Sequence, residues 1–244
     1  MTAVINVMRR ELNGYFATPV AYVFLIIFLV MTGIFTFYLG NFYERGYADL
    51  DPFFRFHPWL YLFLVPAISM RLWAEERRLG TIELLFTLPL TTIQAVLGKF
   101  FAAWSFIGLA LLLTLPMWIT VNYLGDPDNG VILAAYIGSW LMAGGFLAIG
   151  SCMSALTRNQ VVAFILSVVV CFLFLLSGLP MVMNVFTGWA PQSVLDGVAS
   201  MSFLKHFADI SKGVIDLRDL VYFVLMIGFW LLANVLILDM KKAD

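Results

Sequence analysis

The chain has 244 residues, of which 62% are hydrophobic and 12% are charged, and its mean hydropathy is +0.95. A soluble domain carries about 25% charged residues, so this composition excludes an ordinary soluble protein and indicates a polytopic membrane protein. The formal net charge of -1 excludes nucleic-acid binding through bulk basicity.

The first 19 residues are predicted to form an amphipathic helix that lies in the membrane interface. Apolar side chains recur there at helical spacing, at Val4, Ile5, Met8, Leu12, Tyr15 and Phe16. The alternative is a frayed cytoplasmic tail with chance periodicity. The apolar run that follows is long enough to span a membrane and lacks a small-residue cleavage site, so a cleavable signal peptide is not predicted.

Six apolar stretches are predicted to cross the membrane, whose core needs about 20 residues of helix. They are residues 20–39, 58–73, 100–123, 131–156, 161–179 and 220–238. Pro66 and Pro116 interrupt the second and third spans and predict kinks that neighbouring helices support. The fourth span is rich in glycine and serine, which let membrane helices approach closely. Cys152 and Cys171 lie inside spans and are expected to be buried free thiols.

The distribution of lysine and arginine predicts that both termini are cytoplasmic, because basic residues are enriched in cytoplasmic segments. Nine of the 14 would lie on the inner side: Arg9, Arg10, Arg71, Arg77, Arg78, Lys99, Arg158, Lys241 and Lys242. The other five would lie outside: Arg45, Arg55, Lys205, Lys212 and Arg218. The fold class is thus an all-α polytopic membrane protein with six transmembrane helices.

Residues 74–99, AEERRLGTIELLFTLPLTTIQAVLGK, form a charged segment between spans 2 and 3. Gly80 is expected to end a first short helix, and Thr81 to cap a second helix that ends at Pro89. Thr91 or Thr92 would cap the helix that continues into span 3. We interpret the segment as a cytoplasmic docking element of two short helices joined by a glycine, and the alternative is a solvated connector whose charges only set topology.

Residues 180–218 are too polar to span a membrane but retain apolar positions, which predicts one or two amphipathic or re-entrant helices on the outer face. His57 is expected to be an interfacial residue and His206 a surface residue of this outer segment.

The sequence contains no nucleotide-binding motif, and the span centres carry essentially no ionisable residue. An ion-coupled carrier usually needs such a residue near the midplane, and no internal repeat of the kind found in secondary transporters is evident. The energy for any transport is therefore expected to come from an ATPase on the inner face, and this chain is not expected to be an enzyme.

The charged segment resembles the cytoplasmic signature of the ABC-2 type permeases. The matching residues are Glu75, Glu76, Arg77, Gly80, Thr81, Glu83, Leu84, Leu85, Pro89, Gly98 and Lys99. The preceding FFRFHPWLYLFLVPAISMRLW is similar to the version found in gliding-motility-type permeases, a subfamily that is also similar to the nitrous-oxide-reductase-maturation permease. The resemblance covers nearly all of residues 1–244, as a single transmembrane domain.

The resemblance implies a permease in the bacterial inner membrane, and by analogy an exporter. Two separate ATPase subunits, which hold the ATP and Mg²⁺, would drive it, and a second permease, identical or homologous, would pair with it. The contact with the ATPase would be made or shaped by Glu75, Glu76, Arg77, Gly80, Thr81, Glu83, Leu84 and Pro89. The alternative function is a membrane scaffold that couples ATPase motion to a periplasmic or envelope protein and carries no solute.

Overall fold

The structure, a computed structural model, describes residues 2–83, 89–186, 191–214 and 216–241. Its regular elements there are all helical. They are α1 (Thr2–Phe16), α2 (Pro19–Ile34, extended by a π-helical turn Phe35–Leu39), α3 (Asp51–Arg55), α4 (His57–Ser69), α5 (Arg71–Leu79), α6 (Thr92–Leu112), α7 (Leu115–Leu124), α8 (Asn129–Leu156), α9 (Gln160–Leu176), α10 (Pro180–Phe186), α11 (Gln192–Ala199), α12 (Phe203–Ser211) and α13 (Leu217–Met240).

Helix α8 is the centre of the bundle, and α4, α5, α6, α9, α12 and α13 all pack against it. Every residue from Met142 to Ala155 is buried. Because the helix is apolar on every side, burial on all faces is the arrangement that its sequence favours.

The glycines of α8 allow this close packing, as the sequence predicted. A Cβ atom at Gly150 would lie 2.0 Å from the Ser69 Oγ of α4. One at Gly145 would lie 2.6 Å from the ring of Phe203 in α12. These contacts leave no room for a side chain, so the small residues set the distance between the helix axes.

Four stretches of helix are long and apolar enough to cross a membrane, judged by length and composition and among the described residues. They are Pro19–Leu39, Thr92–Leu124, Asn129–Leu156 and Leu217–Met240. The apolar α9 has 17 residues, and the predicted second span is divided into α4 and α5 at Met70. A polytopic membrane protein is therefore supported, whereas six spans and the side of the termini stay predictions.

The predicted third span consists of two helices, because the chain breaks at Leu113 and Thr114. Pro116 lies in the first turn of α7, where its missing N–H leaves no hydrogen bond unmade. At the other end, Thr91 caps α6 together with Gln94 in a reciprocal capping box. The prediction that Thr91 or Thr92 caps this helix is confirmed, and the helix continues through Lys99 without interruption.

Helix α1 packs along α6. A Cβ at Gly98 would lie 2.7 Å from the Cβ of Val7, so this glycine lets the two helices cross closely. Farther along, the Tyr15 ring stacks on Phe106 with centroids 5.3 Å apart. Most of the apolar face of the predicted amphipathic helix thus packs on the bundle, while Ile5 is 48% exposed.

Among its described residues, the 180–218 segment contains three short helices, α10 to α12, instead of the one or two predicted, and α12 packs against α8. The prediction that His206 is a surface residue is wrong, because only 4% of it is exposed. Its Nδ1 contacts Asp219, its Nε2 lies 2.9 Å from the Ser200 carbonyl oxygen, and its ring stacks on Tyr222. These partners explain why a polar ring can be buried here.

The prediction for His57 is also wrong, because its side chain is fully buried instead of interfacial. The ring stacks on Tyr61, with centroids 5.4 Å apart, and Phe53 packs edge-on against it. Its Nδ1 lies 3.2 Å from the Ser139 hydroxyl, which also hydrogen-bonds Tyr61. An aromatic cluster and one hydroxyl therefore replace the water that an interfacial histidine would contact.

Candidate coupling site

The charged segment begins with α5, which ends at Gly80 in the left-handed conformation with φ +72°. A side chain would be strained there, and glycine is the residue that commonly ends a helix in this way. The three residues 81–83 are again helical, and the Thr81 hydroxyl lies 3.4 Å from the carbonyl oxygen of Glu76. The remainder of the predicted second helix, 84–88, lies outside the described residues, so the N-cap at Thr81 stays a prediction.

The start of α5 is fixed to α8 by two serines. The Trp73 indole N–H donates to the Ser151 hydroxyl over 3.1 Å. The backbone N–H groups of Trp73 and Ala74 both donate to the Ser154 hydroxyl, which in turn donates to the Met70 carbonyl. These bonds satisfy the backbone at the break between α4 and α5, where the regular helical pattern is interrupted. The α5 helix is consequently held rigidly on the bundle.

Lys99 lies between two carboxylates of other helices. Its Nζ is 2.9 Å from the Glu76 Oε1 of α5 and 3.2 Å from the Glu11 Oε2 of α1. The side chain is only 3% exposed, and the ammonium also lies over the Trp73 ring, 5.3 Å from its centroid. One buried cation therefore connects the N-terminal helix, the charged segment and the long α6.

The carboxyl of Glu11 shows the electrostatic effect of this cluster. Burial would raise its pKa, but the Lys99 ammonium and the hydrogen bond from Arg10 outweigh burial and lower the pKa below its ordinary value. Glu11 is therefore stabilised in its charged form, as its ion pair with Lys99 requires.

Basic side chains surround the end of α8 that lies next to α5. The Arg77 guanidinium donates to the Ala155 carbonyl, and the Lys241 ammonium donates to the Leu156 carbonyl over 2.7 Å. The last carbonyls of a helix favour such cations. Burial and the proximity of Arg158 lower the pKa of both Arg77 and Lys241. Arg77 thus binds this chain's own backbone.

The eight predicted coupling residues divide into two groups by their contacts. Glu76 and Arg77 bind other helices of this chain, and Glu75 pairs at 3.5 Å with Arg71. Leu84 lies outside the described residues. The second group is exposed and consists of Gly80, Thr81, Glu83 and Pro89. Their neighbours Arg78 and Leu79 are exposed as well. We call Arg78–Thr81, Glu83 and Pro89 the exposed tip.

Sequence reasoning missed the residues that hold the exposed tip in place. Glu11 gave no signal, because a carboxylate on the polar face of an amphipathic helix is ordinary. Ser151 and Ser154 gave a partial signal, because two serines three residues apart lie on one face of a helix.

A comparison with known protein families matches residues 56–238 to the family described as ABC-2 family transporter protein. The match covers 183 of the 244 residues. It includes the whole charged segment, α8 and nearly all of α13. A search of curated proteins finds no match. With three quarters of its length matched, the chain belongs to the ABC-2 transporter family and is a multi-pass membrane component of an ABC transporter.

Proposed function

We propose that the chain is the permease of an exporter and that a separate ATPase binds its exposed tip. The observation that carries the proposal is the division of the charged segment. Its inner side chains are tied to α1, α6 and α8, while its tip presents Leu79, 62% exposed, beside Gly80 and Glu83. An apolar side chain next to a turn and a carboxylate is a surface that a protein partner can cover.

The same contacts give a physical route for the motion. A displacement of the tip by the ATPase would move α5 as a rigid body. The serines of α8 and the ion pairs of Lys99 would pass this displacement to α8, α6 and α1. Glu76 and Arg77 shape the docking surface in this proposal without contacting the partner.

The proposal includes the assembly that the resemblance implies. Two ATPase subunits hold ATP and Mg²⁺, and a second permease copy or homologue completes the path for the cargo. Six spans place both termini in the cytoplasm of a bacterium, with the protein in its inner membrane. The distribution of lysine and arginine supports this orientation, because basic residues are enriched in cytoplasmic segments. In this orientation the exposed tip faces the compartment that contains ATP.

The test is co-purification of the ATPase from native membranes in mild detergent. Glu83→Arg reverses a charge on the tip, and Gly80→Pro removes the left-handed turn at φ +72°, since proline is restricted to negative φ. Both variants are expected to insert in the membrane at normal levels and to lose at least nine-tenths of the bound ATPase.

The matched control is Glu44→Arg, which makes the same charge reversal on an exposed glutamate far from the tip. It should retain the ATPase in full. Undiminished ATPase with Glu83→Arg or Gly80→Pro, or equal loss with Glu44→Arg, would show that the tip is not the docking surface.

A second candidate function is the scaffold that moves an envelope protein and carries no solute. The observation that favours it is the exposed apolar surface of the 180–218 segment, where Met181, Val194 and Met201 are all more than half exposed. The same purification distinguishes the two functions. A large outer-face protein that remains bound with the ATPase would support the scaffold, and its absence from an intact ATPase complex would support the exporter.

A further inference from the structure

Three cationic side chains converge where α8 ends. The Arg77 guanidinium of α5 and the Lys241 ammonium, just after α13, both donate to the Ala155 carbonyl oxygen, at 2.5 and 3.3 Å. Arg158 lies in the turn that joins α8 to α9. Burial lowers the pKa of Arg77 and of Lys241, and the positive charge of Arg158 lowers both further. Like charges are therefore held side by side, and we call Arg77, Arg158 and Lys241 the basic cluster.

The carboxylates on the neighbouring helices are bound to other groups. Glu75 pairs with Arg71 and Glu76 with Lys99, at 3.5 and 2.9 Å. Asp239, near the end of α13, accepts a hydrogen bond from a hydroxyl of α6. Helices α8 and α9 and the turn between them contain no acidic residue. Among the described residues, no carboxylate therefore pairs with the basic cluster.

The basic cluster retains hydrogen-bond donors for a ligand. The Arg77 guanidinium donates to Ala155 and has further N–H groups in its planar fork. Within the described part of the chain, the exposed guanidinium of Arg158 forms no hydrogen bond or ion pair. The last carbonyls of α8 offset only about half a unit of positive charge. The charge that remains is positive, and an anion between the three groups would reduce their mutual repulsion.

The basic cluster lies where three apolar helices end, which is the level of lipid phosphates for helices that cross a membrane. The end of α13 meets the end of α8 there, because the Lys241 ammonium also donates to the Leu156 carbonyl over 2.7 Å. Beside it, Val161 of α9 and Met240 of α13 are each 64% exposed, and Leu236, one turn earlier in α13, is 63% exposed. These apolar side chains are a surface that acyl chains can cover.

We propose that the basic cluster binds the phosphate of an anionic phospholipid, whose acyl chains lie along the exposed apolar side chains of α9 and α13. Guanidinium and ammonium groups form charge-assisted hydrogen bonds with phosphate, and basic pockets between membrane helices bind phosphate-bearing lipid head groups. Three cations match the two phosphates of cardiolipin better than the one of an ordinary phospholipid. The bound lipid holds α5 and α13 together at the end of α8. This site lies beyond the proposed ATPase contact, and its test requires no ATPase, so the two proposals can fail separately.

The experiment titrates the purified full chain in a non-ionic detergent with cardiolipin and counts the bound lipids by native mass spectrometry. The first cardiolipin is expected to bind saturably and about tenfold more tightly than phosphatidylcholine, whose head group carries no net charge. It should also raise the melting temperature of the protein, because a ligand of the folded state stabilises it. Equal affinities for the two lipids would overturn the proposal.

Variants test whether the charge of the basic cluster is responsible. Arg158→Gln with Lys241→Gln removes two of its three charges and is expected to weaken cardiolipin binding about tenfold. Arg158→Lys with Lys241→Arg keeps the charges and should retain most of the binding. The matched control is Arg9→Gln with Arg10→Gln, which removes two exposed arginines of α1 and should leave the first affinity unchanged. An equal loss in this control would show bulk attraction instead of a site. Melting temperatures without lipid verify that each variant is folded.

Competition and co-purification distinguish the lipid from other anions. If inorganic phosphate displaces cardiolipin more effectively than sodium chloride of the same ionic strength, the cluster is a site for free phosphate and the lipid proposal is wrong. It is also wrong if Arg158→Gln with Lys241→Gln binds cardiolipin normally but loses the ATPase, because the cluster would then contact an acidic surface of that subunit. Loss of the lipid with full retention of the ATPase would support the lipid site.

Discussion

Replacing Lys99 by methionine is expected to destabilise the protein by about 3–5 kcal/mol, the usual cost of removing one partner of a buried ion pair. Methionine keeps most of the volume but leaves the Glu11 and Glu76 carboxylates facing each other without a cation. Glu76 Oε2 is already buried without a hydrogen-bond partner among the described residues, so it has no second donor to compensate. Helix α1 should detach from α6 before the bundle unfolds.

The measurements are thermal unfolding in detergent and limited trypsin cleavage after Arg9 and Arg10. The melting temperature should fall and α1 should be cut faster. Lys205→Met, the same change at an exposed lysine, should alter neither. If Lys99→Met unfolds at the same temperature as Lys205→Met, the ion cluster does not hold α1 on the bundle.

A triple variant distinguishes the loss of the ion-pair attraction from the cost of leaving buried carboxylates without a cation. Lys99→Met combined with Glu11→Gln and Glu76→Gln removes all three charges and should recover most of the lost stability, because a neutral buried cluster avoids the desolvation penalty. A triple variant less stable than Lys99→Met alone would contradict this electrostatic explanation.

The cluster also predicts a pH dependence. The pKa of Glu11 is lowered in the folded protein, so its contribution to stability is complete above about pH 4.3 and is lost as the pH falls through the folded pKa. Unfolding curves between pH 3 and 6 should show this loss in the natural protein. They should not show it after Glu11→Gln, and an identical acid response in that variant would exclude Glu11 as the group responsible.

Features that depend on residues close together in the sequence could be predicted. Gly80 follows a charged helical stretch and ends it in the left-handed conformation, and Thr91 caps α6 with Gln94 three residues later. The glycine-rich fourth span became the central helix, because its glycines let neighbouring helices approach closely. Each of these outcomes follows from local sterics or from the composition of one segment.

Features that join distant parts of the chain were not predictable. Lys99 meets Glu11, which lies 88 residues earlier in the sequence, and His57 meets Ser139, 82 residues later. A histidine before an apolar stretch looks the same whether water or an aromatic cluster surrounds it. The division of the coupling residues into anchoring and exposed groups also required the structure, since Glu75, Glu76 and Glu83 are chemically alike.

Replacing Gly150 by alanine is expected to destabilise the bundle by about 1–3 kcal/mol, the typical cost of overpacking. The new Cβ would lie 2.0 Å from the Ser69 Oγ and 2.7 Å from its Cβ, so rotating the hydroxyl away cannot relieve the clash. Helices α4 and α8 must separate. Ser154, one turn farther along α8, would then lose its bonds to the start of α5, and the exposed tip would lose its fixed position.

Two further variants make the test specific to this contact. Gly33→Ala adds the same methyl group to α2, where nothing lies within 4 Å. It should leave the melting temperature unchanged or raise it, because alanine favours helix by about 1 kcal/mol over glycine.

Ser69→Gly in the Gly150→Ala background moves the missing side chain to the other helix and should restore part of the stability. Equal effects of Gly150→Ala and Gly33→Ala, or no rescue by Ser69→Gly, would mean that the distance between α4 and α8 is not set at this glycine. If rescue restores ATPase binding as well as stability, the α4–α8 contact positions the docking surface, because neither residue belongs to the exposed tip.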